Sequence, residues 1–268
     1  MPGVPREMRP MFERFVAPAA RARVRGAQHQ VRLRCFGLPE SMVNDKLAGL
    51  ETARGVQIAY RAHFPEIEVK LLAREATPEA ARALAEAASA DARTRLGTAV
   101  YAEGDIDLPH AIGDLLRERR LTLSLAESCT GGLVGSLLTQ HPASDFFIGG
   151  VVSYANSVKI QQLGVNAAVL EAQGAVSPEV ARQMADGARR VFGSDLALSL
   201  TGIAGPSGAT PDKPVGLVYY ALSTPSATLI REVNVSQRPR EGVQLYAAWC
   251  GLNLIREHLL GAAPNATT

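Results

Sequence analysis

The sequence has few cysteines and no long apolar segment. Only three of its 268 residues are cysteines, and no pair has the C-x-x-C spacing, so neither a disulfide framework nor a zinc knuckle is indicated. No apolar run approaches the roughly 18 residues that a membrane-spanning helix needs. The N-terminus also lacks the apolar segment of a signal peptide. We therefore predict a soluble, cytoplasmic protein with no membrane partner.

Lysine is also scarce. The 28 basic residues include only four lysines, and the others are arginines: the lysines are Lys46, Lys70, Lys159 and Lys213. Codon bias in a GC-rich genome accounts for the general preference. Arginine stays protonated in proteins, however, whereas lysine can act as a base when its pKa is lowered. A lysine that lies within a motif of chemical interest is therefore a candidate catalytic base.

The overall composition is that of an ordinary globular chain. Apolar residues make up 47% and charged residues 20% of the sequence, which excludes a disordered or collagen-like chain. The 28 basic residues nearly balance 26 acidic ones, giving a formal net charge of +2. Proteins that bind the nucleic acid backbone usually have a larger basic excess, so nucleic acid is not an expected partner.

Hydrophobic periodicity divides the chain into three segments. Residues 1–30 contain four prolines, which we expect to break any long helix. Residues 31–104 have the element order β-α-β-β-α-β of a small α+β unit, whose first helix is predicted at 41–50. Residues 105–262 alternate strands with helices, which predicts a layered α/β domain. Its helices are predicted to include 108–119, 156–163, 178–192 and 240–259.

The first candidate site is E-S-C-T-G-G at 127–132, where a predicted strand ends and a helix begins. Main-chain N–H groups at a helix N-terminus bind anions and can stabilise an oxyanion, and glycines let a ligand approach the backbone. A serine at such a turn is an exposed nucleophile in other hydrolases. Ser128 is therefore a candidate nucleophile, with simple helix capping by Ser128 or Thr130 as the alternative.

The second candidate site is Y-A-N-S-V-K at 154–159, after the next predicted strand. If the two strands are neighbours, Tyr154 and Lys159 emerge at the same edge of the sheet as Ser128. A lysine amine in a desolvated pocket can lose its proton and act as the base for a serine hydroxyl. Tyr154 could relay a proton or hold the lysine. The alternative is that Lys159 is a solvated residue on a short helix.

The third candidate site is T-G-I-A-G-P-S-G at 201–208, again at the end of a predicted strand. A glycine-rich loop at this position suits a phosphate, ribose or carbonyl group. The segment lacks the G-K-[ST] of a Walker loop and the G-x-G-x-x-G order of a dinucleotide site. By itself it could be a ligand-binding loop or a plain connector. Three such strand ends in one domain favour a common cleft.

Two other arrangements have less support. Cys129 could be the nucleophile with His141 or His110 as its base. Adjacent residues point in different directions, however, so Ser128 and Cys129 are not expected to share one role. The five histidines are scattered, without an H-x-x-x-H motif or a carboxylate cluster. We therefore predict neither a metal site nor a cofactor.

Five sequence blocks, in this order, resemble the C-terminal domain of the CinA family. The blocks are LTLSLAESCTGG, IGGVVSYANSVKIQQLGV, GAVSPEVARQMADGARR, ALSLTGIAGPSG and KPVGLVYYAL, and the similarity covers residues 108–262. In that family this domain, which also occurs alone in PncC-like proteins, is a nicotinamide-mononucleotide deamidase. It hydrolyses the carboxamide of nicotinamide mononucleotide to the acid and ammonia as a Ser/Lys amidohydrolase that needs no metal. The resemblance therefore implies an amidase with this small-molecule substrate.

The resemblance also implies a role for each matching residue. Ser128 would be the nucleophile, Lys159 its general base, and Tyr154 a support for that pair. Main-chain N–H groups around 130–132 or at Gly202 would stabilise the oxyanion. Five residues of the two glycine-rich turns would bind the substrate: Thr130, Gly131, Gly132, Thr201 and Gly202.

This sequence departs from the family before its last helix. Arg240 corresponds to a family arginine and would face the substrate phosphate or carboxylate. The Gly and Asp that precede this arginine in the family are Arg238 and Pro239 here. A second family arginine, four residues further on, is Gln244. These differences do not involve Ser128 or Lys159, but they are expected to change the affinity for the substrate phosphate.

The resemblance extends upstream. Residues 31–104 resemble the KH-like middle domain of the family, and residues 1–30 resemble the end of its N-terminal molybdopterin-binding-like domain. Most of that N-terminal domain is missing from this sequence, so no ADP-ribose pyrophosphatase activity is expected. The KH-like unit lacks the G-x-x-G loop that clamps a nucleic acid backbone. We expect it to be a structural or dimerising module in a homo-oligomer, a dimer being favoured.

A second class of function remains open at this point. The shortened N-terminal segment and the altered residues around Arg240 are also compatible with a non-catalytic nucleotide-binding or interaction module. Saturable nucleotide binding without ammonia release would favour that class over an enzyme.

Overall fold

The computed structural model of the chain describes residues 5–21, 26–236 and 238–261. These residues form two compact units. The first contains the described residues up to Ala62 together with Ile67–Gly104, and the second contains His63–Glu66 and the described residues from Asp105 onward. No helix in the described ranges has both the length and the apolar character that crossing a bilayer requires.

The N-terminal segment is helical, contrary to the expectation that its prolines break a long helix. Helix α1 (Pro5–Met11) is followed by a π-helical turn (Phe12–Val16) and by α2 (Ala17–Arg21). Pro10 lies inside α1 and Pro18 inside α2. A proline lacks the main-chain donor and crowds the carbonyl four residues earlier, and a π turn is one way in which a helix accommodates such a disruption.

The first unit is a four-stranded sheet in the order β2-β3-β1-β4, in which β1 pairs antiparallel with both β3 and β4. Its elements are β1 (Ala27–Cys35), α3 (Glu40–Leu47), α4 (Leu50–Arg54), β2 (Gln57–His63), β3 (Glu66–Glu75), α5 (Pro78–Leu96), a 3₁₀ turn (Gly97–Ala99) and β4 (Val100–Glu103). The helix expected at 41–50 is two helices, because Gly49 between them adopts a left-handed φ of 76°.

The core of this unit lies between β1, β3 and α5. Helix α5 begins with Pro78 in its first turn and with the Thr77 hydroxyl accepting a hydrogen bond from the Ala80 N–H at 3.2 Å. Alternate strand residues and small helix residues face one another in this core: Val31, Leu33, Val69, Leu71, Ala85, Ala88 and Ala92.

The second unit is a five-stranded mixed sheet in the order β6-β5-β7-β8-β9. Strands β6, β5 and β7 run parallel, whereas β8 and β9 are antiparallel to their neighbours. Its elements are α6 (Leu108–Arg119), β5 (Leu123–Glu127), α7 (Leu133–Leu138), β6 (Phe147–Val152), α8 (Asn156–Leu163), α9 (Ala167–Gln173), α10 (Pro178–Phe192), β7 (Leu196–Gly202), β8 (Leu217–Ser223), β9 (Thr228–Asn234) and α11 (Arg240–Leu259).

Helices cover both faces of this sheet, as the contacts of β7 show. The Ser199 hydroxyl donates to the Ala181 carbonyl of α10 at 2.6 Å. Leu198 and Leu200, the residues before and after Ser199 in β7, face α11 instead. Both lie close to Gly251 of that helix, where an added Cβ would be 2.9 Å from Leu198 Cδ2. Side chains of a strand alternate between its two faces, so α10 and α11 lie on opposite sides. The predicted α/β class, with a small α+β unit before it, is confirmed.

The three parallel strands bring the candidate motifs to one edge of the sheet. Glu127 at the end of β5 pairs with Val152 of β6 on one side and with Leu200 of β7 on the other. The expectation that the first two strands are neighbours is therefore confirmed. The segments that follow β5, β6 and β7 all leave the sheet at its carboxyl edge, where ligands bind in open α/β sheets.

Candidate active site

Ser128 is the first residue after β5, between the ends of β6 and β7. Its N–H donates to the Leu200 carbonyl at 3.0 Å, so the hydrogen bonding between β5 and β7 continues past the end of β5. Its side chain is nearly buried, and its Oγ lies 3.0 Å from Lys159 Nζ. The structure thus brings together the two residues that the sequence suggests as nucleophile and base.

Lys159 lies in α8 and is only 1% exposed. Its Nζ is surrounded by three oxygen atoms: Ser128 Oγ at 3.0 Å, the Ser153 carbonyl at 2.6 Å and the Tyr154 carbonyl at 3.3 Å. Among the described residues no carboxylate forms an ion pair with this amine. The interpretation of Lys159 as a solvated surface residue is therefore wrong.

Burial lowers the pKa of Lys159, because the ammonium form loses its hydration, and the electrostatic effect of Cys129 opposes this shift. A neutral amine has two N–H donors and one lone pair. The carbonyls of Ser153 and Tyr154 can accept the two donors. The lone pair is then free to accept the proton of the Ser128 hydroxyl, which is the arrangement that a general base needs.

Tyr154 contacts the pair through its main chain only. Its side chain is 65% exposed, and its hydroxyl accepts a hydrogen bond from Arg240 Nη2 at 3.2 Å. Arg240, the first residue of α11, also donates through Nη1 to the Gly205 carbonyl at 2.8 Å. Tyr154 therefore holds the lysine by its carbonyl and orients the arginine by its phenol, and it has no direct path for relaying a proton between Ser128 and Lys159.

The glycine-rich turn after Ser128 makes hydrogen bonds within the protein. The Gly131 N–H donates to the Ser128 carbonyl at 3.1 Å, and the Gly132 N–H donates to Glu127 Oε2 at 3.0 Å. Thr130 is buried, and its hydroxyl has no hydrogen-bond partner among the described residues. Thr130, Gly131 and Gly132 do not line the cavity beside Ser128.

That cavity has a volume of about 190 Å³ and opens at the carboxyl edge of β5, β6 and β7. Thr201 and Gly202 line it, as expected, but the Thr201 hydroxyl donates to the Ala175 carbonyl at 2.8 Å. A Cβ on Gly202 would lie 2.7 Å from the Leu217 carbonyl, so this glycine is required for packing against β8. The lining residues are Ser128, Cys129, Tyr154, Asn156, Lys159, Ala175, Val176, Thr201, Gly202, Ala204 and Arg240.

Three lining or neighbouring residues have positions that the sequence motifs did not indicate. Asn156, at the start of α8, lines the cavity. Glu127 is buried and bonds the first amides of α7. Gln244 Nε2 donates to the Cys129 carbonyl at 2.8 Å. The acidic residue before the serine was visible in the sequence, but only the fold shows which amides it reaches.

The structure does not support Cys129 as the nucleophile. The thiol is buried, which raises its pKa to about 12 and keeps it protonated. The two histidines proposed as its base bind carboxylates instead: His141 Nε2 is 2.9 Å from Asp107 Oδ2, and His110 Nε2 is 3.6 Å from Asp114 Oδ2. Within the described ranges, no three His, Cys, Asp or Glu side chains form a group that could hold a metal.

A larger and more open groove of about 710 Å³ lies elsewhere on the second unit. It is lined by residues of α10, of the loop between α10 and β7, and of the turn between β8 and β9, including Asp186, Arg189 and Asp195. Asp186 accepts from Ser223 and Thr228, so its carboxylate is already bonded. The described residues that line the groove include no lysine or histidine that could act as a base for these hydroxyls, and the groove is not the candidate site.

Known proteins resemble the chain along nearly its whole length. The CinA C-terminal domain matches residues 105–259, and the damage-inducible protein CinA KH domain matches residues 30–102. A CinA-like protein of Geobacter sulfurreducens is 43% identical over 98% of this chain, and one of Dictyoglomus thermophilum is 40% identical over 97%. The chain spans 64% of the length of each of these relatives.

Solved structures give the same result. The competence/damage inducible protein CihA of Agrobacterium tumefaciens is 35% identical, with a TM-score of 0.55 over 57% of this chain and 93% of its own. A CinA superfamily protein of Escherichia coli is 30% identical, with a TM-score of 0.54 over 56% of this chain and 87% of its own. With the C-terminal domain matched along 105–259 and the KH domain ahead of it, the chain belongs to the CinA family.

Proposed function

We propose that the second unit hydrolyses the carboxamide of nicotinamide mononucleotide to nicotinate mononucleotide and ammonia. The observation that supports this most directly is the 3.0 Å approach of Lys159 Nζ to Ser128 Oγ in a buried site, where no carboxylate of the described residues forms an ion pair with the amine. A serine with a neutral lysine as base is an arrangement suited to acyl transfer. The resemblance of the motifs to the deamidase of this family supplies the substrate.

In the first half-reaction, Lys159 takes the Ser128 proton as Oγ attacks the carboxamide carbon. The tetrahedral intermediate collapses when the C–N bond breaks, and the Lys159 ammonium gives its proton to the departing nitrogen, which leaves as ammonia. The product is an ester between Ser128 and the nicotinate carbonyl. In the second half-reaction, Lys159 takes a proton from water, the resulting hydroxide attacks the ester, and Ser128 recovers the proton as it leaves.

The oxyanion of each intermediate needs hydrogen-bond donors that are not already used. The N–H groups of Gly131 and Gly132 are occupied by Ser128 and Glu127. Those of Cys129 and Thr130 make no hydrogen bond to another of the described residues. We therefore assign oxyanion stabilisation to the main-chain N–H of Cys129, which lines the cavity and comes one residue before the 130–132 segment that the sequence suggested.

The size and charge of the site fit one end of a nucleotide. Pockets that enclose a drug-sized ligand measure roughly 300–1,000 Å³, whereas this cavity measures about 190 Å³. It can enclose the nicotinamide ring and leave the ribose phosphate at its mouth. Arg240 lines the cavity and is anchored by Gly205 and Tyr154, both of which are uncharged partners. Its charge is then available to the phosphate.

The test is ammonia release from nicotinamide mononucleotide, nicotinamide riboside and nicotinamide side by side. We expect the mononucleotide to react best, because only it carries the phosphate. Ser128→Ala and Lys159→Arg should each reduce the rate by about 10²–10⁴-fold, since arginine keeps the charge but cannot act as the base. Lys46→Arg, the same change at an exposed residue of α3, is the matched control and should retain the rate.

Two outcomes would contradict the proposal. A Lys159→Arg protein that releases ammonia at the wild-type rate would exclude lysine as the base. Saturable binding of the mononucleotide without any ammonia release would favour the non-catalytic nucleotide-binding module instead.

A further inference from the structure

The turn that contains Ser128 is held by two side chains that the proposed chemistry does not use. One is Glu127, the residue before the serine, and the other is Gln244 of α11. Neither lines the cavity beside Ser128. Both contact the main chain within a few residues of the nucleophile, so they are placed to set its position rather than to touch a substrate.

Glu127 joins the end of β5 to the start of α7. Its carboxylate is buried, with Oε2 accepting from the N–H groups of Gly132 at 3.0 Å and Val134 at 3.1 Å, and Oε1 accepting from that of Gly135 at 2.9 Å. The first N–H groups of a helix have no partner within the helix, and a carboxylate is favourable there. The five-residue step from Glu127 to Gly132 is thereby closed into a loop, and Ser128 is its first residue.

Gln244 of α11 holds the same loop through a second hydrogen bond. It lies one helical turn after Arg240 on the same face of α11, and its Nε2 donates to the Cys129 carbonyl at 2.8 Å. A peptide group is planar and trans, so fixing this carbonyl also fixes the direction of the Thr130 N–H, which points the opposite way. The residue that follows Ser128 is thus held by α11, while Ser128 itself is bonded to Leu200.

We infer that Glu127 and Gln244 are positioning residues that together hold Ser128 Oγ against Lys159 Nζ. The inference rests on the proposed role of Ser128 as the nucleophile. Reacting groups must be held within a fraction of an ångström of a productive geometry, and a misplacement of about 1 Å costs about 10²-fold in rate. Because both side chains act on one short loop, loss of either is enough to release it.

The test follows the reactivity of Ser128 and does not depend on the natural substrate. Phenylmethanesulfonyl fluoride reacts with an activated serine, forming an S–O bond to Oγ and releasing fluoride together with the hydroxyl proton as HF. The rate of mass increase at the peptide containing Ser128 reports how well the serine and its base are aligned. Ser128→Ala sets the background.

The informative variants remove hydrogen bonds at nearly constant size. Gln244→Met removes the donor, Gln244→Glu keeps the polarity but not the donor, and Glu127→Gln replaces one acceptor oxygen with an NH₂ group. We expect each to slow labelling at least about tenfold. Gln162→Met, at an exposed glutamine of α8, is the matched control and should label at the wild-type rate.

The double variant separates shared positioning from two independent structural effects. If both residues hold one loop, Glu127→Gln and Gln244→Met combined should slow labelling little more than the slower single variant, because coupled residues are not additive. The thermal midpoint of Gln244→Met, measured by circular dichroism, should stay close to that of the wild type, so that slow labelling is not attributable to unfolding.

Other outcomes overturn the inference in distinguishable ways. Wild-type labelling rates in both Gln244 variants would exclude positioning by Gln244. If the fold-reductions in labelling rate of the two single variants multiply in the double variant, the two residues do not act through one shared loop. Absence of Ser128 labelling in the wild-type protein would overturn the nucleophile assignment itself, and with it the proposed function.

Discussion

Lys159 is a buried amine that forms no ion pair with a carboxylate of the described residues, and such a group is costly when it is charged. The effective penalty for taking an ion out of water is several kcal/mol, so burial favours the neutral form. The nearest polar atoms are one hydroxyl and two carbonyls. An arginine in this place would stay charged, which is a physical reason for a lysine here in a sequence where arginine predominates.

The first prediction concerns the pH dependence of the reaction. Only the neutral amine can accept the Ser128 proton, so the rate should fall as pH decreases through the pKa of Lys159. Because burial lowers that pKa, the active form should persist well below the ordinary lysine value of about 10.4. The profile of kcat/KM against pH locates this acid limb in the free enzyme.

Protein stability gives an independent measurement of the same pKa. Between the folded-state pKa and about 10.4, the unfolded chain binds a proton that the folded protein does not, so stability rises with pH in that window. We expect the unfolding free energy of the wild type, relative to Lys159→Met, to rise with pH there and to be level on either side. A level difference throughout would contradict a lowered pKa.

The sequence motifs predicted the residues that meet in the candidate site better than the residues that support them. Ser128, Lys159 and Arg240 follow recognisable strand ends or start a helix, and the fold brings them to one cavity. The hydrogen bond from the Gly132 N–H to the Glu127 carboxylate could not be predicted. A helix N-terminus attracts a carboxylate of the protein itself as readily as an anionic group of a substrate. Gln244 is 115 residues from Cys129, a pairing that only the fold can show.

At the scale of elements, the sequence predicted helices well where their ends carry local signals. Helix α10 begins after Ser177, whose hydroxyl accepts from the Val180 N–H at 3.3 Å, and it ends before Gly193 with a left-handed φ of 62°. A serine cap, a proline in the first turn and a glycine after the last helical residue can all be recognised in the amino-acid sequence. The bounds of α6, α8, α10 and α11 match the prediction, and α10 carries all three of these signals.

Short elements and strand ends were harder to predict. Helix α9 was missed because it has only seven residues and buries only Leu170, too little for a helical period to be visible. The Asn166 side chain caps it by accepting from the Ala168 N–H at 2.8 Å. Strand β7 continues to Gly202, into the segment 201–208 that the sequence predicts as a loop, because pairing with β8 rather than its own composition sets its length.

The second prediction concerns the contact between α10 and α8. A Cβ added to Gly187 would lie 2.0 Å from the Leu163 carbonyl, which is backbone and cannot rotate away. We expect Gly187→Ala to destabilise the protein by at least about 3 kcal/mol or to prevent folding, as overpacking of a close contact does. Chemical denaturation followed by circular dichroism measures the loss.

Gly135 is the matched control for that change. It also lies in a helix, α7, and its added Cβ would meet Glu127 Oε1 at 3.6 Å, an ordinary contact distance. Alanine is the better helix former by about 1 kcal/mol, so Gly135→Ala should retain or raise the unfolding free energy. Equal stability of Gly187→Ala and wild type would show that the two helices can separate without cost.

At the scale of the whole chain, the proposed chemistry belongs to one unit. Every residue that lines the cavity lies between Ser128 and Arg240, within the segment matched by the CinA C-terminal domain. The first unit has its own core and matches the CinA KH domain. The element order β-α-β-β-α-β before residue 105 and the alternation of strands with helices after it predict such a division.

The last prediction is that residues 105–268, produced alone, fold and keep Ser128 reactive. The second unit has its own sheet, with helices on both faces. The Agrobacterium tumefaciens structure matches only 57% of this chain while 93% of its own length is covered, so that related structure corresponds to only part of this chain. Circular dichroism and the rate of sulfonyl fluoride labelling compare the fragment with the full chain.

We expect the two labelling rates to agree within about threefold, a free-energy difference of about 0.65 kcal/mol. The fragment with Ser128→Ala is the control for labelling elsewhere. A folded fragment whose serine reacts far more slowly would mean that the first unit helps to align Ser128 with Lys159, although it supplies no lining residue. An unfolded fragment would instead mean that the first unit supports stability. Measuring folding and reactivity on the same fragment therefore distinguishes a unit that completes the site from one that only stabilises it.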